Sequence, residues 1–312
     1  MNTIIKKLLL ISAIFFIFIA CDENEAFKEE LYKKVICILS NNDKVFEVEY
    51  DLNYEESSGY VSINCGGTNR IDRDVFVEIE PETELLAEYN RLQYDTATLR
   101  FARKLPDWRY SIPTMSTTLK AGAQNTHSVI EVKVTPDGLS PDSIYMIPLR
   151  IKSVSDFEVN PDKDKVLFRV LIKNDYAEQK TTTYYKMRGT QRDDLGNDTP
   201  AIGVPTSSDK VFYPISKNKV RMLAGIRAFK DKAPTLQEID QMAIIVTIND
   251  DNTITLKSAG SLPLEMIGEP EDNRYAEESG MQVFYFSYKY YWDNKWIIMT
   301  ERCTRQKEAL TV

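Results

Sequence analysis

The stretch "FYFSYKYYWDNKW", residues 284–296, sets eight aromatic rings in thirteen positions and closes them around Asp293 and Asn294. Flat rings of this kind stack on the C–H faces of sugars, and Asp and Asn exchange hydrogen bonds with hydroxyls. In a strand, successive side chains point to opposite faces. Tyr285, Tyr291 and their alternate partners therefore cannot share a side with Phe284, Phe286, Tyr288, Tyr290 and Trp292, so one set packs inside while the other meets solvent or the first domain. Trp292, Trp296, Tyr291, Asp293 and Asn294, at the tip of a hairpin, form the first candidate ligand-binding group. Trp108 and Tyr110, in "DWRY", form a second. The competing demand on all these rings is packing, because large β formers build cores and hairpins without binding anything.

Other chemistry has little support. The single histidine, His127, opens a strand-like run, and no GxSxG nucleophile elbow accompanies it, so a Ser-His-Asp triad lacks its parts. One histidine excludes a multi-histidine zinc site, and no glycine-rich phosphate cradle or dinucleotide fingerprint follows a strand. Carboxylates are plentiful. Glu269, Glu271, Asp272, Glu277 and Glu278 form an acidic cluster, but a glycosidase needs two acids facing across a cleft with one proton held tightly. Asp193, Asp194, Asn197 and Asp198 offer hard oxygen ligands at a spacing unlike that of an EF-hand. Neither a metal nor another cofactor is expected.

Short runs rich in Val, Ile, Tyr and Phe, divided by Asn, Asp, Ser and Gly, must position these residues. "YKKVICILS", "KVFEVEYDL", "GYVSINCG", "RDVFVEIEP", "HSVIEVKVTP", "SIYMIPLRIKSV" and "KVLFRVLIKN" read as strands. Within them Pro148 argues against a fully paired central position, since proline lacks the ladder donor. "PETELLAEYNRLQ" reads as one helix, with Leu85, Leu86, Tyr89 and Leu92 on a common side. The first unit is thus an antiparallel sandwich of about seven strands with an inserted helix. After "KNDYAEQK" a second strand series begins. "IIVTIN" and "TITLK" flank the turn formers Asp250, Asp251 and Asn252, and "PTLQEIDQM" makes a short helix with Thr235 and Glu238 as a capping box and Leu236, Ile239 and Met242 on one side. The whole is all-β with one or two short helices, a β-sandwich followed by a small β-barrel or second sandwich. The expected divisions are 32–175 and 176–312.

The amino terminus sets location. Lys6 and Lys7 precede an apolar run from Leu8 to Ala20, thirteen residues long. As a helix it would rise about 20 Å, short of a bilayer core of about 30 Å, so residues 1–20 read as a signal peptide. "FIAC" resembles the lipobox of bacterial lipoproteins. That likeness implies cleavage before Cys21, lipid attachment to its sulfur and a tether over 21–31, with acidic Asp22, Glu23 and Glu25 just behind it. Removing the signal takes two of 39 basic residues and leaves 47 acidic ones, for a mature formal charge of −10. No run of basic residues occurs in the sequence, which argues against nucleic acid as a partner. Cys37 and Cys65 lie in strand-like runs of one unit and form a possible disulfide, while Cys303 reads as a buried free thiol.

Leu105-Pro106, Tyr110, Ala121-Gly122, "YMIPLRI", Ser153, "NPDK" from Asn160 and Lys173-Asn174 occur in order across the first unit. This pattern resembles a recurrent amino-terminal domain of uncharacterised Bacteroidota two-domain surface lipoproteins, and "KVFYPISKNKVRMLAG" with the Tyr-Tyr-Trp hairpin is similar to the carboxy-terminal domain of one branch. The resemblance implies an immunoglobulin-like first domain and a barrel-like second one. It also implies a place at the outer membrane, facing the exterior or else the periplasm, beside proteins of glycan capture and uptake. The resulting expectation is a lipid-anchored, non-catalytic glycan-binding or accessory protein. A structural or adhesive surface protein, of fimbrial accessory type, is the alternative, and a carboxylate-dependent glycan-processing enzyme the third.

Overall fold

The computed structural model describes residues 30–123, 126–196, 202–227 and 234–307. The expected signal peptide, Cys21 and most of the tether lie outside the described residues, as do Asn197 and Asp198.

The first eleven strands are β1 (Val35–Ile38), β2 (Val45–Asp51), β3 (Ser57–Gly66), β4 (Val75–Pro81), β5 (Arg103–Lys104), β6 (Tyr110–Ser111), β7 (Ser116–Leu119), β8 (His127–Val134), β9 (Tyr145–Val154), β10 (Glu158–Val159) and β11 (Lys165–Lys173). They form two sheets, ordered β10-β1-β3-β8-β6 and β2-β11-β9-β4-β7, with β5 added beside β9. Period-2 alternation explains the packing of the two sheets. Ile36, Ile38, Val61, Ile63, Ile130 and Val132 face inward from one sheet and Val75, Val77, Ile147, Leu149, Phe168 and Val170 from the other, all in one core. The result is an immunoglobulin-like sandwich that is not wholly antiparallel, since β2 runs parallel to β11 through seven residue pairs.

Two local expectations change and one holds. Pro148 does sit in the central strand β9, opposite Leu167 of β11. Its carbonyl accepts from Glu82 N, so its missing donor points to the β4 side, where β4 has already ended at Pro81, and little is lost. Helix α1 (Leu85–Tyr94) forms as expected, with the Glu82 carboxylate accepting from the N–H groups of Glu84 and Leu85, but Leu92 faces solvent. Cys37 and Cys65 do not pair. Ile36 stands opposite Cys65 and Asn64 opposite Cys37, so the two thiols project to opposite faces of one sheet and both are free.

The remaining strands are β12 (Thr183–Asp193), β13 (Val204–Ser216), β14 (Lys219–Leu223), β15 (Ala243–Ile248), β16 (Ile254–Ser258), β17 (Leu264–Met266), β18 (Arg274–Glu278), β19 (Met281–Trp292) and β20 (Lys295–Gln306). Helix α2 (Leu236–Met242) precedes β15 and carries the expected Thr235–Glu238 capping box, though Leu236 is exposed. All the pairings are antiparallel, in the order β16-β15-β14-β13-β12-β20-β19-β17 with β18 also on β19. The ends of this sheet meet where Thr253, just before β16, bridges Arg274 of β18, so the sheet curls into a nearly closed barrel. Its inside is aromatic. Tyr185 stacks on Phe212 at 4.3 Å between centroids, and Phe284 meets Tyr185, Phe212, Tyr275 and Tyr176 edge-on or tilted.

A buried polar group sits among these rings. Lys210 of β13 and Glu301 of β20 are 1% and 0% exposed and pair at 2.5 Å. Tyr288 donates to the same carboxylate oxygen at 2.8 Å and accepts from Gly225 N at 2.9 Å. Burial pushes the Glu301 carboxyl above its ordinary range, against the pull of Lys210. The sandwich and barrel are clamped by Asn174, which donates to the carbonyls of Ser216 and Lys219, and by Arg221, which pairs with Asp142 on the β8–β9 connection. Removing one partner of a sealed ion pair strands the other charge. Lys210→Ala is therefore expected to cost about 3–5 kcal/mol in denaturant unfolding. The double variant Lys210→Met/Glu301→Leu should recover most of that loss, and a single variant as stable as the parent would contradict the pairing.

Candidate functional site

The aromatic hairpin is the junction of β19 and β20, twelve residue pairs in continuous register. Asp293 and Asn294 form its two-residue turn with φ of 54° and 59°, the left-handed pair of a type I′ turn that Asp and Asn tolerate. Both are exposed, but their backbone conformation is already explained by the turn. The alternation expected from the sequence holds. Phe284, Phe286, Tyr288 and Tyr290 are buried inside the barrel, and Trp292, on the same side at the barrel's end, is half-buried against that core with the Arg227 guanidinium 4.5 Å from its ring.

The outward face is different. Tyr291 pairs with Trp296 across the hairpin, and their rings meet edge-to-face at 5.7 Å and 68°. Tyr291 is 38% exposed and Trp296 half-buried. Charged side chains frame them. Lys289 lies 4.8 Å from the Trp296 ring and pairs with Glu265 at 3.1 Å and Asp194 at 3.5 Å, whereas Lys295, the ladder partner of Trp292, pairs with Asp193 at 2.9 Å at the barrel's end. These ion pairs hold Lys289 above its usual range, the Glu265 contact first. The structure thus divides the sequence-derived group. Tyr291 and Trp296 form an outward aromatic pair with a polar frame, and Trp292 belongs to the core. Sequence reading misses the frame because Asp194, just after β12, and Glu265, in β17, lie far from the hairpin in sequence.

Trp108 is 74% exposed on a short 3-10 turn, with the Arg109 guanidinium 4.2 Å from its ring. Tyr110 packs against the sandwich core and hydrogen-bonds Asp107, so the two do not make a second platform. Four members of the acidic cluster are likewise engaged locally. Glu269 and Asp272 cap one 3-10 turn, Glu277 pairs with Lys307, and Glu278 accepts from Tyr285 and pairs with Arg302. The Lys307 contact holds the Glu277 carboxyl below the ordinary range, and those of Tyr285 and Arg302 do the same for Glu278, opposite to the shift a general acid needs. Among the described residues no three His, Cys, Asp or Glu side chains gather as a metal site, and no helix is long and apolar enough to cross a membrane. Two clefts, of about 110 and 150 Å³, fall short of the ~300 Å³ at which small-molecule pockets begin. The aromatic pair instead lies open on a sheet face.

Two family models cover most of the chain. An amino-terminal domain model matches residues 28–158, and a carboxy-terminal domain model matches residues 164–304. The chain belongs to this two-domain family. Solved structures share the fold over both domains. A Bacteroides ovatus protein of unknown function is 14% identical with a TM-score of 0.61, over 87% of this chain and 94% of its own. A multidomain Bacteroides ovatus protein including DUF1735 is 12% identical with a TM-score of 0.59, over 88% of this chain and 96% of its own. An auxiliary nutrient-binding protein from Bacteroides thetaiotaomicron is 14% identical with a TM-score of 0.55, over 86% of this chain and 94% of its own. A comparison with curated proteins finds no match.

The two tryptophans of the hairpin should separate on mutation. Trp292→Ala, which opens the barrel core, is expected to cost about 2–3 kcal/mol in urea unfolding. Trp296→Ala loses one edge-to-face contact and should cost no more than about 1.5 kcal/mol. Equal losses would show that both rings serve packing.

Proposed function

We propose that this chain is a lipid-anchored, non-catalytic surface protein that holds polysaccharide close to degradative enzymes or to neighbouring glycan-uptake proteins. The observation that carries the reading is the outward Tyr291–Trp296 pair on the barrel, framed by Lys289, Asp194 and Glu265. Rings presented on an open sheet face suit a chain of sugars that stacks and slides, and the paired charges beside them suit hydroxyls. The nutrient-binding role named for one structure of this fold agrees with it.

The contacts of Glu30 agree with the same reading. Glu30, where the described chain begins, accepts from the N–H groups of Thr68 and Asn69 and pairs with Lys34 at 3.0 Å. Those contacts, Thr68 first, hold its carboxyl down at about 2. They fix the end of the tether beside Gly66, the last residue of β3. The opposite end of the sandwich, where Asn53 meets Asp175, carries the barrel. Ten residues of β3 span roughly 33 Å between these ends, so a lipid on Cys21 would leave the barrel face well clear of the membrane. An adhesive role ranks second. The feature favouring it is the edge strand β2, but Glu47 and Glu49 on that strand are the kind of charge that discourages strand addition.

Two measurements test the proposal. On a glycan array, the mature chain carrying Cys21→Ala should retain at least one polysaccharide, and Tyr291→Ala/Trp296→Ala should reduce that binding tenfold or more with the fold intact. Retention of nothing would remove the glycan role. In cells, labelled palmitate should enter the parent protein and not Cys21→Ala, which should leave the membrane fraction. Labelling of both would place the anchor elsewhere.

A further inference from the structure

The barrel face that carries Tyr291 and Trp296 continues along β12 and β20 as a row of cations that the sequence keeps apart. Glu301 and Gly189 are ladder partners and Glu301 is sealed inside, so their neighbours Arg302 and Arg188, directly opposite one another, both point outward. Like charges directly opposed across an antiparallel pair are destabilising, and stability alone gives no reason to place them so. Arg302 is held by Glu278 at 3.0 Å and by the Tyr285 hydroxyl at 3.2 Å. The Arg188 side chain is exposed and makes no ion pair or hydrogen bond among the described residues. Arg192, four residues along the same strand and face, is likewise without such a partner there. Between them lie the outward hydroxyls of Thr190 and Thr300, themselves ladder partners. The ring of Tyr285 stands beside Arg302 with Arg274 over it at 4.3 Å. In a chain of net charge −8, this is a local reversal of sign.

We propose that this face binds an acidic polysaccharide, with Arg188 and Arg302 receiving its carboxylate or sulfate groups, Arg192 the next acidic unit, and Trp296 and Tyr291 a sugar face further on. The inference rests on the glycan-binding reading and names the class of glycan. A guanidinium forks onto a planar carboxylate or a sulfate through two parallel N–H donors, and an unpaired arginine is free to do so. From the Arg188 row to the Asp194–Trp296 row is six residues, roughly 20 Å at about 3.3 Å each, the scale of an extended oligomer rather than one sugar. The interleaved rings and hydroxyls favour a sugar polymer over a lipid surface or a nucleic acid, for which no further feature of this face is adapted.

The test is affinity electrophoresis of the mature chain carrying Cys21→Ala through gels holding polygalacturonate or dextran sulfate, with dextran and galactomannan as neutral controls. Retardation by an acidic polymer should exceed that by the neutral ones and weaken as salt is raised several-fold. Arg188→Glu should lower the acidic affinity at least tenfold without lowering the melting temperature, since its side chain has no ion pair or hydrogen bond among the described residues and its charge opposes that of Arg302, and Arg188→Lys should keep only part of the binding. Retardation by neutral polymers alone would overturn this inference and leave the glycan reading standing. Equal acidic affinity in parent and Arg188→Glu would also overturn it, as would binding to anionic vesicles or DNA with none to acidic polysaccharide. Retardation by no polymer would remove both.

Discussion

Twelve consecutive residue pairs tie β19 to β20, and the sidedness of the barrel follows from that register. Because the side-chain period is two, fixing one pair fixes all. Phe284, Phe286, Tyr288 and Tyr290 must enter the core together, and Tyr285, Lys289 and Tyr291 must leave it together. The type I′ turn at Asp293–Asn294 sets this register at one end and its right-handed twist matches the strands. A slip of one residue would bury Lys289 and expose Tyr288, which costs far more than the turn stabilises. The same constraint that builds the core therefore builds the outward aromatic pair, and no separate device is needed to present it.

The inner face shows how tightly that register is used. Glu301 lies between Arg302, which points out, and Thr300, also outward, so one carboxylate goes to the interior where Lys210 and Tyr288 meet it. A charge pair in that position is not an obvious source of stability, since replacing both partners by apolar groups is often neutral. Its contribution is to specificity of register. Only one alignment of β12, β13 and β20 brings Lys210 to Glu301, and any other leaves a charge alone among aromatic rings. The clamp through Asn174 and the Arg221–Asp142 pair then carries the orientation of the barrel to the sandwich, and Glu30 ties the first described residues to the sandwich's far end.

Local signals were legible in the sequence. Alternation marked the strands, Thr235 and Glu238 marked a helix start, and "DN" between aromatic runs marked the hairpin. What eluded reading depended on partners far along the chain. Lys210 and Glu301 are 91 residues apart, and nothing near either announces the other. Arg188 and Arg302 make a basic surface only after β12 and β20 pair, so the absence of a basic run in the sequence says nothing about the sheet. Cys37 and Cys65 failed to pair because adjacent strands can bring two thiols close and still aim them at opposite faces. Pro148 shows what its missing donor predicts, a central strand that lacks a neighbouring strand at that one position. Within the candidate site, composition identified the rings, and only the register decided which were available.

The central claim is that recognition takes place at the outward ring pair and not at Trp108 or Trp292. A protein carrying Trp108→Phe and Trp292→Phe keeps Trp296 as its one tryptophan. Titrated with a polysaccharide that the parent retains, its emission should shift in wavelength and become less accessible to acrylamide, with the same midpoint as binding. Unchanged emission during full binding would place the ligand elsewhere and contradict the account.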